Sequence, residues 1–338
     1  MIVQDVVDAE HGGRGEPEHA QRTAGGVDET LGVPTYHTVD TTGPGRAEWL
    51  AIRRTGLGAS DIAAILGMSP WSSPYTVWAE KVEGYEREPN EAMAWGKRLE
   101  DVIRAQFAEE TGLYVGPELM VVRDGGVLPV VFATIDGFVH DDGGDRDDPA
   151  DGALGVVEIK TDGSFRRWDE VPDHYQIQVQ WQLLATGLDM AWVACLHGGR
   201  RFEVYEVPAD ERVQQVVYER ATEWWRQHIV DGEPPEIDGS DATTRVLADL
   251  YPESSDAEAE LDEKAMAAVA TLRILKDQEQ ELKAAITRME NEVKAALGDA
   301  GVGVFEGRPV VRWRTVSRKE YVVKASTFRR FELVKEKD

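Results

Sequence analysis

In GVVEIKTD, residues 155–162, Glu158 and Lys160 stand two apart in an otherwise apolar run. A strand there puts a carboxylate and an ammonium on one face. Val156, Val157 and Ile159 mark that strand as buried, and a charge removed from water needs a partner or a task. An E-x-K triplet by itself is most often a solvated strand face, so its surroundings must decide. Asp136, in FATIDGF, supplies them. The turn-forming DDGGDRDDPADG between the two runs folds them into a hairpin, across which side chains on one face approach to about 5 Å. Asp136 and Glu158 then share a divalent cation, and hard oxygen ligands select magnesium or manganese over zinc. Lys160, on the same face, holds or deprotonates a water, or steadies charge building on a phosphate.

Two helical segments add candidates. In WGKRLEDVIRAQF, Trp95, Leu99, Val102, Ile103 and Gln106 are expected to face inward, leaving Glu100 at the margin where it can point at the cation. The competing reading of Glu100 is an i,i+4 pair with Arg104, a weak surface interaction. In YQIQVQWQLL, Tyr175 and Gln178 share a helical face, with a plain polar stripe as the alternative.

The elements that position these residues are legible from residue 45 onward. Helical spacing starts in GRAEWLAIRRTGLGASDIAAILG, with Ser60 and Asp61 at a helix N-terminus, and continues through SPYTVWAEKVEG and the Glu100 helix, which Gly112 ends. Strands follow in LMVVRD, VVFATIDGFVHD and ALGVVEIKT; then the Tyr175 helix, strands AWVACLHGG and RFEVYEVP, and a helix through ERATEWWRQHIVDG. Helices packed on a mixed central sheet, an α/β domain over residues 45–238, are implied. Residues 1–44, rich in Gly, Thr and acids without a sustained period, are expected to be disordered. Residues 239–256 read as an acidic linker. Residues 257–338 read as a helical arm with a basic β segment. In that arm Leu261, Ala265, Ala268, Leu272, Leu275, Leu282, Ile286, Met289, Val293 and Ala296 recur in alternating steps of four and three, interrupted only by Glu279. That is the seam of a coiled coil or a long helical hairpin, packed within the chain or serving as an assembly arm.

The formal charge of −26 argues at first sight against a nucleic-acid partner. Yet the acids concentrate in the N-terminal segment and in residues 141–148 and 252–263, whereas from Phe305 to the end ten Lys or Arg face five Asp or Glu. Around Trp313, Arg308, Arg312 and Arg314 share one side of a strand, a solvated face by default and a duplex-backbone contact otherwise. The single cysteine, Cys195, excludes an internal disulfide and a Cys-rich zinc or iron–sulfur site. No run of about 18 apolar residues offers a membrane span, and the polar N-terminus lacks a secretory signal. A cytoplasmic protein is expected.

The ordered set GLGASDIAAILGMSPWSSPYTVWAEKVEG, NEAMAWGKRLED, ATIDGF, EIKT and YQIQVQWQL resembles the YqaJ-like viral recombinases, relatives of lambda exonuclease in the PD-(D/E)XK nuclease superfamily, over about residues 49 to 230. The resemblance implies a restriction-endonuclease-like core and a magnesium-dependent nuclease. Such an enzyme degrades linear duplex DNA from 5′ ends by two-metal phosphodiester hydrolysis and leaves a 3′ strand for an annealing recombinase. It also implies a homo-oligomer, a trimeric ring in lambda-like relatives. Carried over residue by residue, Asp136, Glu158 and the Ile159 carbonyl correspond to metal ligands, Glu100 to the helical carboxylate, and Lys160 to the water-activating lysine. Gln178 and Tyr175 match the helix whose glutamine orients lysine or water. Arg53, Ser60, Thr134 and Arg166 fall where the 5′-phosphate is received, with Arg54 beside Arg53 as a rival. Isoleucine precedes Asp136 where the superfamily name has proline, at a side chain that ligates nothing. Two other readings compete: a nonspecific or repair-type endonuclease on the same fold, and a catalytically silent DNA-end-binding scaffold acting through the C-terminal arm. A version with an iron–sulfur cluster is disfavoured by the lone cysteine.

Overall fold

The computed structural model describes residues 36–41, 45–124, 130–143, 148–320 and 328–333. The chain divides into two units, Met1–Leu250 and Tyr251–Asp338. The first holds the site. Its order is β1 (Tyr36–Asp40), α1 (Arg46–Thr55), β2 (Leu57–Gly58), α2 (Ala59–Ile65), α3 (Pro74–Trp78, continued by a π turn to Glu83) and α4 (Glu91–Thr111). Next come β3 (Tyr114–Val115), β4 (Leu119–Asp124), β5 (Val130–Ile135), β6 (Gly137–His140), β7 (Gly155–Asp162) and α5 (Asp173–Thr186). The unit closes with β8 (Met190–His197), β9 (Arg201–Pro208), α6 (Glu211–Trp225, continued by a π turn to Val230) and α7 (Asp241–Leu250).

The sheets run β1-β4-β5-β2 and β3-β6-β7-β8-β9. Among the described residues β2 with β5 and β7 with β8 pair in parallel and the other strand pairs are antiparallel, so the sheets are mixed and flanked by helices, the α/β class expected of a PD-(D/E)XK core. Buried Val156, Val157 and Ile159 beside Ala191, Val193 and Ala194 make β7 and β8 interior strands, which lack the alternation of a one-faced sheet. Helix α5 is buried nearly all round, through Ile177, Val179, Trp181, Leu183 and Ala185. It packs on α2, α6 and β5, and Trp181 donates its indole N–H to the Phe132 carbonyl at 3.1 Å. The site-bearing strand is thus held between a rigid helix and paired neighbours.

Four expectations change. Helix α2 begins at Ala59 with Gly58 as its cap, and Asp61 accepts the Gly58 N–H at 3.0 Å; the acid therefore serves from the third helical position. On α4 the covered stripe is Leu99, Ile103 and Phe107, a clean i, i+4, i+8 series, whereas Trp95 and Val102 are 53% and 60% exposed. Val102 lies about 100° around the helix from Ile103, and Arg98 covers Trp95 with its Cζ 5.3 Å from the ring centroid. The stretch expected to be an acidic linker contains α7, docked through Ser73 to Thr243 at 2.7 Å and Tyr85 to Asp249 at 2.8 Å. Lastly, β1 forms inside the segment expected to be disordered, pairing Val39 with Met120; residues 1–35 of that segment lie outside the described residues.

The second unit contains α8 (Glu263–Leu297) and the hairpin of β10 (Val302–Phe305) with β11 (Arg308–Arg312). Among its described residues the seam runs along one helix, no residue of which is buried, and not along a helical hairpin. Leu275, Leu282 and Ile286 remain half or more exposed.

Candidate active site

Strand β7 delivers Glu158 and Lys160, and the break between β5 and β6 delivers Asp136. Gly137 pairs with Val157, so the register continued by one residue sets Asp136 opposite Glu158, the juxtaposition the hairpin predicts. Asp136 is fixed there from two sides. Its Oδ2 accepts the Ile159 N–H at 2.6 Å, and its carbonyl accepts Arg104 Nη1 at 2.5 Å. Arg104 also donates to the Gly116 carbonyl, which passes so near that a Cβ on Gly137 would lie 2.5 Å from the Gly116 oxygen. The i,i+4 alternative for Glu100 therefore gives way: Arg104 is spent on backbone carbonyls, and Glu100 pairs with Lys97 at 2.7 Å.

Glu100, Asp136 and a third acid, Glu118, bring carboxylate oxygens within 4.8 Å of one another. Glu118 escaped the sequence reading because it lies in the loop before β4, where no periodicity assigns a direction. Its only signal was position, one residue ahead of a strand that pairs with the Asp136 strand. Lys97 bridges Glu118 and Glu100 from the solvent side, and Thr41 donates to Glu118 at 2.5 Å. Burial, then the neighbouring Glu158 charge, pushes Asp136 up to about 8. Burial likewise raises Glu100. For Glu118 burial pulls upward, but the Lys97 and Thr41 hydrogen bonds outweigh it and the carboxyl ends below its usual range. Crowded acids with one exposed ammonium between them are short of positive charge.

Glu158, 3% exposed, is a hub. One oxygen accepts Lys160 and Gln178, the latter at 2.6 Å, and the other accepts Gln182 at 2.5 Å. Gln178 thus reaches the lysine through a shared carboxylate oxygen. Gln182, unanticipated, sits one turn further along α5, i+4 from Gln178 on the same helical face. Burial works against the Lys160 ammonium, but Glu158 and Asp136 outweigh it and raise the group above its ordinary value. The Tyr175 ring lies under it, with Nζ 4.8 Å from the centroid; burial pushes the tyrosine hydroxyl up to about 12. A cleft of about 730 Å³ opens onto this constellation, lined by Ser60, Lys97, Glu100, Ile159, Lys160, Tyr175 and Gln178 among others.

The four residues matched to phosphate binding are only partly assembled. Ser60 lies in the cleft wall. Arg53 rests on Trp49, its Cζ 5.0 Å from the ring centroid, while Thr134 accepts the Trp49 indole N–H at 3.2 Å. Arg54, the rival, pairs with Glu86 at 3.0 Å on the surface. Arg166 is exposed on the loop between β7 and α5 and does not line the cleft. Behind Arg53 lies a buried pair, Lys81 with Asp61 at 2.7 Å, and Lys81 also donates to the Arg53 carbonyl at 2.6 Å.

Nearby Glu80 is raised from an ordinary 4.5 to about 7, first by burial and then by Asp61. A raised folded-state pKa means that the unfolded chain ionises first, so stability is lost as pH climbs from 4.5 to 7 and is level beyond that. Glu80→Gln should equal the parent near pH 4 and exceed it at pH 8 by up to about 3 kcal/mol, read from urea unfolding at both pH values. Equal gaps at the two would contradict the assignment.

Residues 48–189 match the model of the YqaJ-like viral recombinase domain. The chain is 28% identical to protein YqaJ of Bacillus subtilis over 309 residues, covering 85% of this chain and 93% of that one. Protein D345L of African swine fever virus is 44% identical over 55 residues, 16% of each chain. Among solved structures, an alkaline exonuclease from Laribacter hongkongensis has a TM-score of 0.42 at 20% identity, covering 60% of this chain and 99% of that one. A phage related exonuclease from Haemophilus somnus gives 0.39 at 13% identity, covering 55% and 100%. Among the described residues no helix is long and apolar enough to cross a membrane.

Proposed function

We propose that this chain, whose residues 48–189 match the model of the YqaJ-like viral recombinase domain, is a divalent-metal-dependent 5′-to-3′ exonuclease acting on linear double-stranded DNA. One observation carries the reading: Glu100, Glu118 and Asp136 converge within 4.8 Å beside a cleft that presents Lys160. The donor set is all hard oxygen and short of positive charge, which fits magnesium or manganese. Glu100, Glu118 and Asp136 would hold the cation, with Glu158 and the Ile159 carbonyl as the further ligands of a second ion. Bound there, such ions supply Lewis-acid polarisation of a phosphodiester and an activated water.

The chain's own groups do the rest. Lys160, kept protonated by Glu158, stabilises negative charge on the oxygens of the phosphate under attack. Gln178 and Gln182 hold Glu158, and hence Lys160, against the cleft. Arg53 and Ser60 receive the 5′-phosphate, which sets the next scissile bond at a fixed distance from the acids. A single-strand annealing recombinase would take the 3′ strand produced.

The test is digestion of linear and covalently closed duplexes, with magnesium or chelator, with and without a 5′-phosphate. Linear DNA alone should be consumed, only with metal, and faster when phosphorylated; digestion of closed circles would mean an endonuclease, and no digestion at all a binding scaffold. In the same assay Arg53→Gln should lose the preference for the 5′-phosphate by roughly tenfold or more, because a charge-assisted contact is lost. Arg54→Gln, which breaks only a surface pair, should keep it. Equal losses in the two variants would overturn the choice of Arg53.

A further inference from the structure

The loop between β7 and α5 holds an aromatic ring largely in water. Phe165 is 63% exposed, yet its surroundings are rigid. Asp162 accepts the Ser164 N–H at 3.0 Å and the Trp168 indole at 3.1 Å. The Trp168 backbone N–H meets the Tyr205 hydroxyl at 3.1 Å, and its ring stands edge-on to buried His197 at 4.9 Å. Pinned at both ends, the loop presents what lies between. Phe165 lies on the turn joining β8 to β9, where Gly198 has φ +57 and a Cβ would come 2.3 Å from Phe165 Cδ1. Arg200, from the same turn, covers one face of the ring with its Cζ 4.5 Å from the centroid. Most of the Phe165 surface stays in water, 63% exposed.

Arginines cluster beside this ring, on its own loop and on the turn it packs against, interspersed with Asp162, Asp169, Glu170 and Glu203. Arg166, Arg167 and Arg200 enter no ion pair among the described residues, and Arg201 meets only Glu203, at 3.6 Å. The exposed ring and the arginines beside it stand next to Asp162 and Gly163 of the cleft wall. Aromatic faces backed by guanidinium groups are the chemistry of base stacking along a polyanion. We propose that Phe165 is a stacking platform for a nucleobase at the end of the DNA held in the cleft, with Arg166 and Arg167 on the adjoining phosphates. The inference rests on the nuclease reading and adds to it the residue that grips the end of the strand.

The test uses the full chain with calcium, which supports binding without turnover, and a duplex carrying 2-aminopurine near its 5′ end. The parent should quench the probe on binding, and Phe165→Ala should lose the quench and raise KM for linear duplex in magnesium roughly tenfold, with the loss in KM and not in kcat. Phe165→Trp should restore both, Phe165→Leu neither. The proposal is overturned if Phe165→Ala quenches and binds as the parent does, or if leucine restores as fully as tryptophan. A parent that digests no duplex overturns the nuclease reading instead, and the fluorescence arm then decides stacking by itself.

Discussion

Replacing Lys160 by methionine should lower turnover on linear duplex DNA by about 10²–10⁴-fold, the range for removing one group that stabilises charge or moves a proton in a transition state. Duplex binding in calcium should change little, because one phosphate contact among many is lost. The geometry sets this expectation. Lys160 is the cation that faces the cleft from β7, and Lys97 is engaged with Glu100 and Glu118. Methionine keeps an unbranched apolar stem but removes the ammonium and its contact with the Tyr175 ring; Glu158 keeps Gln178 and Gln182 as donors, and urea unfolding of the variant separates any loss of stability from the loss of turnover. Single-turnover digestion with excess protein measures the loss directly. Turnover within a factor of two or so of the parent would remove Lys160 from the chemistry.

Why was part of this site legible in sequence and part not? Asp136, Glu158 and Lys160 were found because strand alternation is a strong rule in a buried sheet: charges at matching positions of two adjacent strands can only meet or be wasted. Glu118 obeys no such rule, since a loop residue takes its direction from the strands on either side. Glu100 was ambiguous in sequence because its helix offered Arg104 as a local partner, and the competition was decided by the carbonyls of Gly116 and Asp136, which no spacing reveals. The same limit hid α7. Its buried positions are Ala242, Thr243 and Val246, too small and too polar for a convincing apolar stripe, and its place is fixed by hydroxyl contacts from Ser73 and Tyr85, far away in the chain. Helix α8 is the reverse case: its seam is plain in the sequence, and periodicity is silent about what covers it.

The other large effect concerns stability, and it reaches the site from behind. Lys81→Met should cost about 3–5 kcal/mol, the range for leaving one partner of a buried ion pair uncompensated. Asp61 and Lys81 are 5% and 3% exposed at the side chain, 2.7 Å apart, and without the ammonium Asp61 keeps the Gly58 N–H and the more distant Arg53 charge. Burial alone would raise the Asp61 carboxyl; Lys81, then Arg53, more than reverses that and holds it below its usual range. A depressed folded-state pKa gives stability that is present above the unfolded value and is lost as pH falls through the folded one. The gap between parent and Lys81→Met should therefore be widest at neutral and higher pH and should close as the solution is acidified below pH 4 or so. Adding Asp61→Asn should recover most of the loss, because the amide oxygen still accepts the Gly58 N–H without a charge to strand. The pair also joins the end of α1, through the Arg53 carbonyl, to the first turn of α2, which carries Ser60. For that reason the double variant, refolded to near-parental stability, should still show a weakened preference for 5′-phosphorylated ends. Parental preference in a stable double variant would confine the pair to folding and leave Arg53 and Ser60 to be positioned by Trp49 and the cleft wall alone.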